Sequence, residues 1–321
     1  MSKISEPQLL VVGRGSFGEV QLLSQTSLAF KSVLNPSEDT ILEKEWNTML
    51  GICSSCNVDS TSFFSIPRPL GLFLPAASDP RVQLAPPGPP LEVRGRIKRR
   101  PQIPEILFRD HEFKVATYAM TFIANVPASI GKFVANNFYP DSVLGKGLPS
   151  PNLIRLYFGR DGPERSQSRF VNTQNFPTNV TQYTSLHRAM EEDGVADPHD
   201  VVRGMGEMLG KLHWKYGCDA RDVEFVLGEG ANGEVEYWLL DFNQTRPFDT
   251  EAGDIDELTQ AHFSNDPYFP FARASNPLFS EFRRGYEEIL SAQTSHIRAR
   301  GQDFLQKLIA VQTDRDQSAK Y

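Results

Sequence analysis

Four carboxylates crowd the second half of this chain: Asp219, Asp222 and Glu224 in close succession, and Asp241 at the end of the strand-like run Tyr237-Trp238-Leu239-Leu240. Carboxylates at such spacing serve two kinds of chemistry. They hold a hard cation while one of them takes a proton as general base, or they receive a cationic group, for which a guanidinium is the best geometric match. A plainer reading stands beside both: Asp222 and Glu224 cap a turn or pair with surface bases such as Arg221. Two elements must position the cluster. Residues 200–215 read as a helix with one apolar stripe, Val201, Val202, Met205, Met208, Leu209 and Leu212, which is core packing. It delivers the chain into the acidic loop; Phe225-Val226-Leu227 and the run before Asp241 then read as a strand pair around a glycine-rich turn. Farther on, Asp254 and Asp256 read as acids at a helix N-terminus, where the dipole attracts them. Residues 279–311 read as amphipathic helices closing the second lobe.

The first third of the chain carries its own constellation. Leu9-Leu10-Val11-Val12 leads into Gly13, Gly15 and Gly18 in GxGxxG spacing, which lets a backbone turn sharply and bring N–H groups close to a phosphate. The chain continues as Glu19-Val20-Gln21-Leu22-Leu23, a strand rather than the helix that a dinucleotide-binding unit requires. Leu28-Ala29-Phe30-Lys31-Ser32-Val33 is a strand with a lysine inside it, and 40–50 reads as a helix carrying Glu43 and Glu45. The hairpin and the lysine strand resemble the glycine-rich loop and the VAIK strand of protein kinases. In that pattern the lysine pairs with a helix glutamate and holds nucleotide phosphates. Glu45 fits that partner best and Glu43 competes. The plain reading makes Lys31 a snorkelling edge-strand residue and Glu45 a solvated helix residue.

Residues 75–105 break the pattern. Ala85-Pro86-Pro87-Gly88-Pro89-Pro90 reads as an exposed insertion, followed by the basic stretch Arg94, Arg96, Lys98, Arg99 and Arg100. That stretch is either a solvated loop or a local patch for the phosphates of a nucleic acid. Cys53 and Cys56 form a CxxC, but with Cys218 as the one other cysteine the pair reads as a chance loop pair and no metal site is expected. Residues 113–123 read as a buried strand ending a first lobe. Strand and turn, without chemistry, are expected over 124–186.

The acidic loop extends the resemblance. Kinases and aminoglycoside phosphotransferases order a helix, a catalytic loop, a hairpin and an Asp-Phe pair, with HxDxxxxN and DFG supplying base and metal ligands. The pattern puts Asp219 at the base, Glu224 at the Asn and Asp241-Phe242-Asn243 at DFG. Gly217 stands where the His would be. The implied fold is α+β, a two-lobed protein-kinase-like or aminoglycoside-phosphotransferase-like chain, with a β-rich lobe over 1–123 and a mainly helical lobe over 124–321.

A more specific likeness rests on Gly217-Cys218-Asp219-Ala220-Arg221-Asp222-Val223-Glu224-Phe225, Trp238-Leu239-Leu240-Asp241-Phe242-Asn243, Arg155-Leu156-Tyr157-Phe158-Gly159-Arg160, Asn175-Phe176-Pro177 and Asn265-Asp266-Pro267-Tyr268-Phe269-Pro270. Together these resemble a fungal domain family, sometimes labelled zinc-finger-like, whose best-characterised branch is the arginine-containing cyclodipeptide synthases. That resemblance implies an enzyme of secondary metabolism taking Arg-tRNA and a second aminoacyl-tRNA to form a cyclo(Arg-X) diketopiperazine. No cofactor is required; ATP and Mg²⁺ enter only under a kinase alternative, and a pseudokinase interaction module is a third reading. Asp219, Asp222, Glu224 and Asp241 are then the catalytic candidates. Asn243, Lys31, Glu45, Gly13, Gly15 and Gly18 are substrate-binding candidates, and the basic stretch would meet tRNA. Tailoring enzymes would act on the product rather than bind the protein.

Composition bounds these readings. The chain has 321 residues, 40% hydrophobic and 23% charged, which is ordinary for a globular protein. Forty acids against 33 bases give a net charge of −7, against a protein whose whole surface binds nucleic acid, so no DNA partner is expected. No apolar run reaches membrane-spanning length, and the first residues lack the apolar core of a signal peptide. Three cysteines suit a reducing compartment. A cytoplasmic enzyme with no membrane partner is the expectation.

Overall fold

The glycine-spaced opening forms an antiparallel hairpin in the computed structural model, which describes residues 7–56, 62–75, 80–86, 91–93, 96–98, 102–144, 146–168, 170–230 and 233–318. The chain divides into two compact units. The first is Met1–Ser60 with Pro67–Ile123, and the second is Thr61–Ile66 with Ala124–Tyr321. The division therefore differs from a single break after residue 123: a short segment before Pro67 belongs to the second unit.

In the first unit, β1 (Leu9–Arg14), β2 (Gly18–Leu23), β3 (Leu28–Val33), β4 (Pro69–Leu74), β5 (Arg81–Leu84) and β8 (Thr117–Thr121) make an antiparallel sheet of order β1-β2-β3-β8-β4-β5 among the described residues. Lys31 thus lies on an interior strand, opposite Val20 on β2 and Tyr118 on β8, rather than on an edge. The helix α1 (Asp39–Cys56) is longer than its sequence pattern, and its buried stripe includes Leu42, Glu45, Trp46, Met49, Ile52, Cys53 and Cys56. The CxxC cysteines are therefore buried thiols in the last turns of a helix, not a loop pair. The proline-rich insertion is not all loop either. It contributes the edge strand β5 and a two-stranded hairpin, β6 (Leu91–Val93) with β7 (Arg96–Lys98), before the short helix α2 (Ile106–Asp110).

The second unit begins with a helix that the sequence did not announce, α3 (Ala128–Phe138). There follow β9 (Leu153–Leu156), β10 (Asn175–Thr178), α4 (Val180–Met190), α5 (Pro198–Lys211), β11 (Glu224–Glu229), β12 (Val235–Leu240), α6 (Ile255–Ser264), α7 (Pro277–Ser291) and α8 (Ser295–Ser318). The four strands form one sheet of order β10-β9-β11-β12. Val201, Val202, Met205, Met208, Leu209 and Leu212 are all buried, as an apolar stripe requires. Against that core α5 crosses α7 closely enough that a Cβ on Gly206 would lie 1.9 Å from the Phe282 carbonyl oxygen. Segment 62–66 runs beside β12: the Ser65 N–H donates to the Tyr237 carbonyl, and the Leu239 N–H to that of Ser65. Among the described residues no helix is long and apolar enough to cross a membrane.

Candidate active site

Lys31 Nζ lies 2.7 Å from Glu45 Oε1, and the Tyr118 hydroxyl donates to the same oxygen at 3.3 Å. Glu45 is 1% exposed, so it is the lysine's partner and not a solvated helix residue. Glu43 pairs instead with Arg81 on β5 at 2.5 Å. Of the three glycines only Gly18 is sterically required, because a Cβ there would meet the Ser32 carbonyl oxygen at 2.8 Å. Around Gly13 and Gly15 the nearest atoms lie 3.9 and 4.0 Å from a built Cβ, and none of the three takes a positive φ. The sharp turn expected of them is closed by a hydrogen bond from the Gly15 N–H to the Gly18 carbonyl at 2.9 Å.

The second unit builds its site on one face of its sheet. Successive strand residues point to opposite faces. On one face Ile154, Leu156, Phe176, Phe225, Leu227 and Leu239 are buried core. On the other, Arg155 lies opposite Val226, two residues from Glu224 on β11, while Asn175 lies opposite Leu153, two residues from Arg155 on β9. The register thereby gathers three polar side chains. Arg155 contacts Glu224 Oε1 through Nη2, and Asn175 Nδ2 donates to Glu224 Oε2 at 3.2 Å. Arg155 Nη1 also reaches Asp266 Oδ2 at 3.2 Å, and the Tyr157 hydroxyl donates to that oxygen at 2.6 Å. The Tyr268 ring packs edge-on to Tyr157 at 4.9 Å, and its buried hydroxyl has no hydrogen-bond partner among the described residues.

The loop before β11 is shaped by unusual backbone. After α5 a π-helical turn, Leu212–Tyr216, ends at Gly217 with φ 84°, where a Cβ would lie 3.0 Å from the Phe248 carbonyl oxygen. That explains why position 217 carries no histidine: a side chain there would be strained. The nearby His213 is committed to the core, with Nδ1 2.8 Å from the Tyr286 hydroxyl. Asp219, expected as the base, is 5% exposed. Its Oδ1 accepts from the backbone N–H groups of Arg221 and Arg246 at 3.1 and 2.9 Å, and Oδ2 faces Arg221 Nε at 3.4 Å. This carboxylate ties two loops together. Arg221 is thus the partner of Asp219, not of Asp222 or Glu224.

Asp222 is half-buried, and its Oδ2 accepts from Gln244 Nε2 at 2.7 Å. Asp241 follows Leu240, the residue paired with Glu224 across β11–β12. Burial raises the Asp222 carboxyl above its ordinary range, helped by the charges of Asp241 and Asp266. Burial also pushes Glu224 up to about 7; Arg155 opposes the shift, while Asp241 and Asp266 add to it. The result is a carboxyl poised to exchange a proton near neutral pH beside a permanent cation. Asn243 is half-buried, and its Oδ1 has no hydrogen-bond partner among the described residues. Asp254 caps α6 by accepting from the Asp256 N–H at 2.9 Å, as a helix-terminal acid should.

Arg155, Tyr157, Asn175, Asp266 and Tyr268 carried no chemistry in the sequence reading beyond their place in the family likeness. One signal was available: the alternation in Leu153-Ile154-Arg155-Leu156 and Asn175-Phe176-Pro177-Thr178 puts Arg155 and Asn175 on the faces opposite their apolar neighbours. In the basic stretch, Arg96 and Lys98 fall on β7, while Arg94, Arg99 and Arg100 lie outside the described residues.

The element order is that of a glycine hairpin, a strand lysine bound to a helix glutamate, a loop and hairpin, and an Asp-Phe pair. The fold is kinase-like. Residues 237–295 match the model of a family described as zinc finger protein. That stretch holds no cysteine and one histidine, His262, which is buried and stacked on Phe269 at 4.5 Å. Among the described residues no group of three His, Cys, Asp or Glu side chains is arranged to hold a metal ion. No curated protein matches the chain. Among solved structures, the GDP and kanamycin complex of APH(2″)-IIIa is similar at 12% identity, covering 100% of this chain and 96% of that one with a TM-score of 0.25.

Proposed function

We propose that this chain is a transferase joining activated acyl groups, with Glu224 as the proton acceptor. Its proposed substrates are aminoacyl-tRNAs, Arg-tRNA among them, and its product a cyclo(Arg-X) diketopiperazine. One observation carries the reading. Where a phosphotransferase keeps a metal-binding Asn, this chain has Glu224 against the Arg155 guanidinium. A fixed cation there repels Mg²⁺, whereas a carboxyl near 7 suits proton removal from an amine. Aminoacyl esters need no further activation. The α-amine of one attacks the ester carbonyl of the other, an amide C–N bond forms, the ester C–O bond breaks, and the amine proton passes through Glu224 to the departing tRNA hydroxyl. A second such step closes the ring and releases the second tRNA. Asp222 and its acidic neighbours suit a guanidinium. The identity of the substrates rests on the sequence resemblance, as does tRNA contact by the basic stretch.

A second reading, an ATP- and Mg²⁺-dependent phosphotransferase or a nucleotide-binding pseudokinase, is favoured by the Lys31–Glu45 pair and by the kinase-like fold. In that reading Lys31 would hold nucleotide phosphates and Asp241 a metal ion.

The deciding experiment is mass spectrometry of extract from a bacterial host expressing the chain, with an empty vector and Glu224→Gln as controls. A cyclo(Arg-X) mass present only with the unaltered chain is expected. Its absence from a host charged with the source's own tRNA, together with ATP turnover by the purified protein, would replace the first reading with the second.

A further inference from the structure

The turn that presents Asp222 is held in an unfavourable backbone state. Among the described residues only five that are not glycine take a positive φ, and three belong to this site: Ala220 at 52°, Asp222 at 62° and Asp241 at 64°. Side chains with a Cβ rarely adopt that region without an external restraint. The restraint on the 220–222 turn comes from a distant loop. Asn265, at the C-terminus of α6, spends its backbone N–H on the Ala261 carbonyl, which leaves its side chain for another task. Its Oδ1 accepts from the Asp222 N–H at 2.6 Å, and its Nδ2 donates to the Ala220 carbonyl at 3.1 Å. One carboxamide therefore brackets both left-handed residues of the turn. The next residue, Asp266, holds Arg155 and Tyr157. Two adjacent residues thus fix the two halves of the site, Asn265 the backbone that carries Asp222 and Asp266 the cation that faces Glu224.

We propose that Asn265 is a positioning residue that fastens the left-handed Ala220–Asp222 turn and so keeps Asp222 in register with Glu224 and Arg155. A carboxamide suits the task because it supplies one acceptor and one donor in a plane. Aspartate would keep the acceptor and lose the donor, and alanine would lose both. The catalytic consequence rests on the function proposed above; the structural one does not.

The test pairs Asn265→Ala with Ala220→Gly, since glycine adopts a positive φ without strain. Amide hydrogen exchange is followed over 219–223 by mass spectrometry, and product yield is measured in parallel. Asn265→Ala is expected to speed exchange there by roughly tenfold, the cost of one left-handed residue, and to lower product formation by a similar factor. Asn265→Asp should fall between. Adding Ala220→Gly to Asn265→Ala should restore slow exchange at the Asp219 and Arg221 amides, whose acceptors remain, though not at Asp222, whose acceptor is gone, and recover most of the product. Exchange over 219–223 that stays unchanged in Asn265→Ala overturns the proposal, and so does restored exchange without restored product. If the unaltered protein forms no product, the proposed function fails while exchange alone still decides the clamp. Should Asn265→Ala not fold, Asn265→Asp with and without Ala220→Gly gives the same comparison.

Discussion

Glu45 and Glu224 are both glutamates held by a long basic side chain, yet their surroundings differ. Glu45 meets the Lys31 cation and the Tyr118 hydroxyl, on the apolar stripe of a helix. Glu224 meets a cation and an amide, but it also sits in the field of Asp222's neighbours Asp241 and Asp266. The first pair joins a strand lysine to a glutamate buried on the helix that follows it. A crowded one leaves the carboxyl near neutrality, and perturbed carboxyls of that kind gather where protons are exchanged. The first unit thus carries the lysine–glutamate pair that the sequence resemblance led one to expect, and the second the carboxyl on which the proposed chemistry rests.

The largest effect should come from removing the cation of the crowded pair. Arg155→Met leaves the part-buried Glu224 and the exposed Asp266 without their shared cation, and losing such a charged partner costs about 1.5–3 kcal/mol. The loss should be greater at pH 8 than at pH 5.5, because Glu224 is protonated in the acid range. Urea unfolding at the two pH values measures it. Equal losses at both would mean that Arg155 acts by packing alone.

Exchanging the two glutamates for glutamine breaks the comparison from the functional side. Glu224→Gln should lower product at least about 100-fold, the usual worth of a general base, while Glu45→Gln leaves product within a few-fold. The reverse pattern, with ATP turnover lost in Glu45→Gln, moves the chemistry to the kinase reading.

The pH dependence of stability sharpens the same contrast. Glu224 has a folded pKa above its unfolded value, from 4.5 to about 7, so the folded state binds more protons across that window. Its contribution is full below about 4.5 and is lost as pH rises through about 7. Between pH 5 and pH 8 the unaltered protein should lose stability relative to Glu224→Gln, on the order of 3 kcal/mol. A difference that does not change with pH would show that Glu224 is ionised throughout.

The two sites were also unequally legible in the sequence. Lys31 and Glu45 lie close in the chain, on a strand and the helix directly after it, so the resemblance to a kinase strand and helix pointed to the pair, with Glu43 competing until the structure placed it on Arg81. Glu224 draws on Arg155, Asn175 and Asp266, each far away in sequence and brought in by strand register and by a loop after α6. Register between non-consecutive strands is not written in local pattern. The role of Asp219 was hard to read for a related reason. Its spacing from Glu224 matched a catalytic base, but whether a loop carboxylate points outward or accepts the N–H groups of Arg221 and Arg246 depends on where residue 246 comes to lie. Residue 217 is likewise explained only by the structure: the glycine that stands where the motif has a histidine takes a positive φ.

The smallest effects lie in the glycine hairpin, and they test whether its glycines serve the fold or a ligand. Gly18→Ala drives a Cβ to 2.8 Å from the Ser32 carbonyl oxygen, a backbone atom that cannot swing away. The β2–β3 ladder must open to admit it, at a cost of about 1–3 kcal/mol. Gly15→Ala meets nothing nearer than 4.0 Å and has no positive φ to defend, so its stability should change by less than about 0.5 kcal/mol. Thermal melts of the two variants give the structural answer. Adding ATP to the same melts gives the functional one: a phosphate cradled by backbone N–H groups leaves no room for a methyl at Gly15, so a nucleotide-induced rise in Tm that disappears in Gly15→Ala would identify a working phosphate loop. No rise in the unaltered chain would leave Gly18 as a packing residue and Gly15 as a remnant, and would place the whole chemical task on the Glu224 side of the comparison.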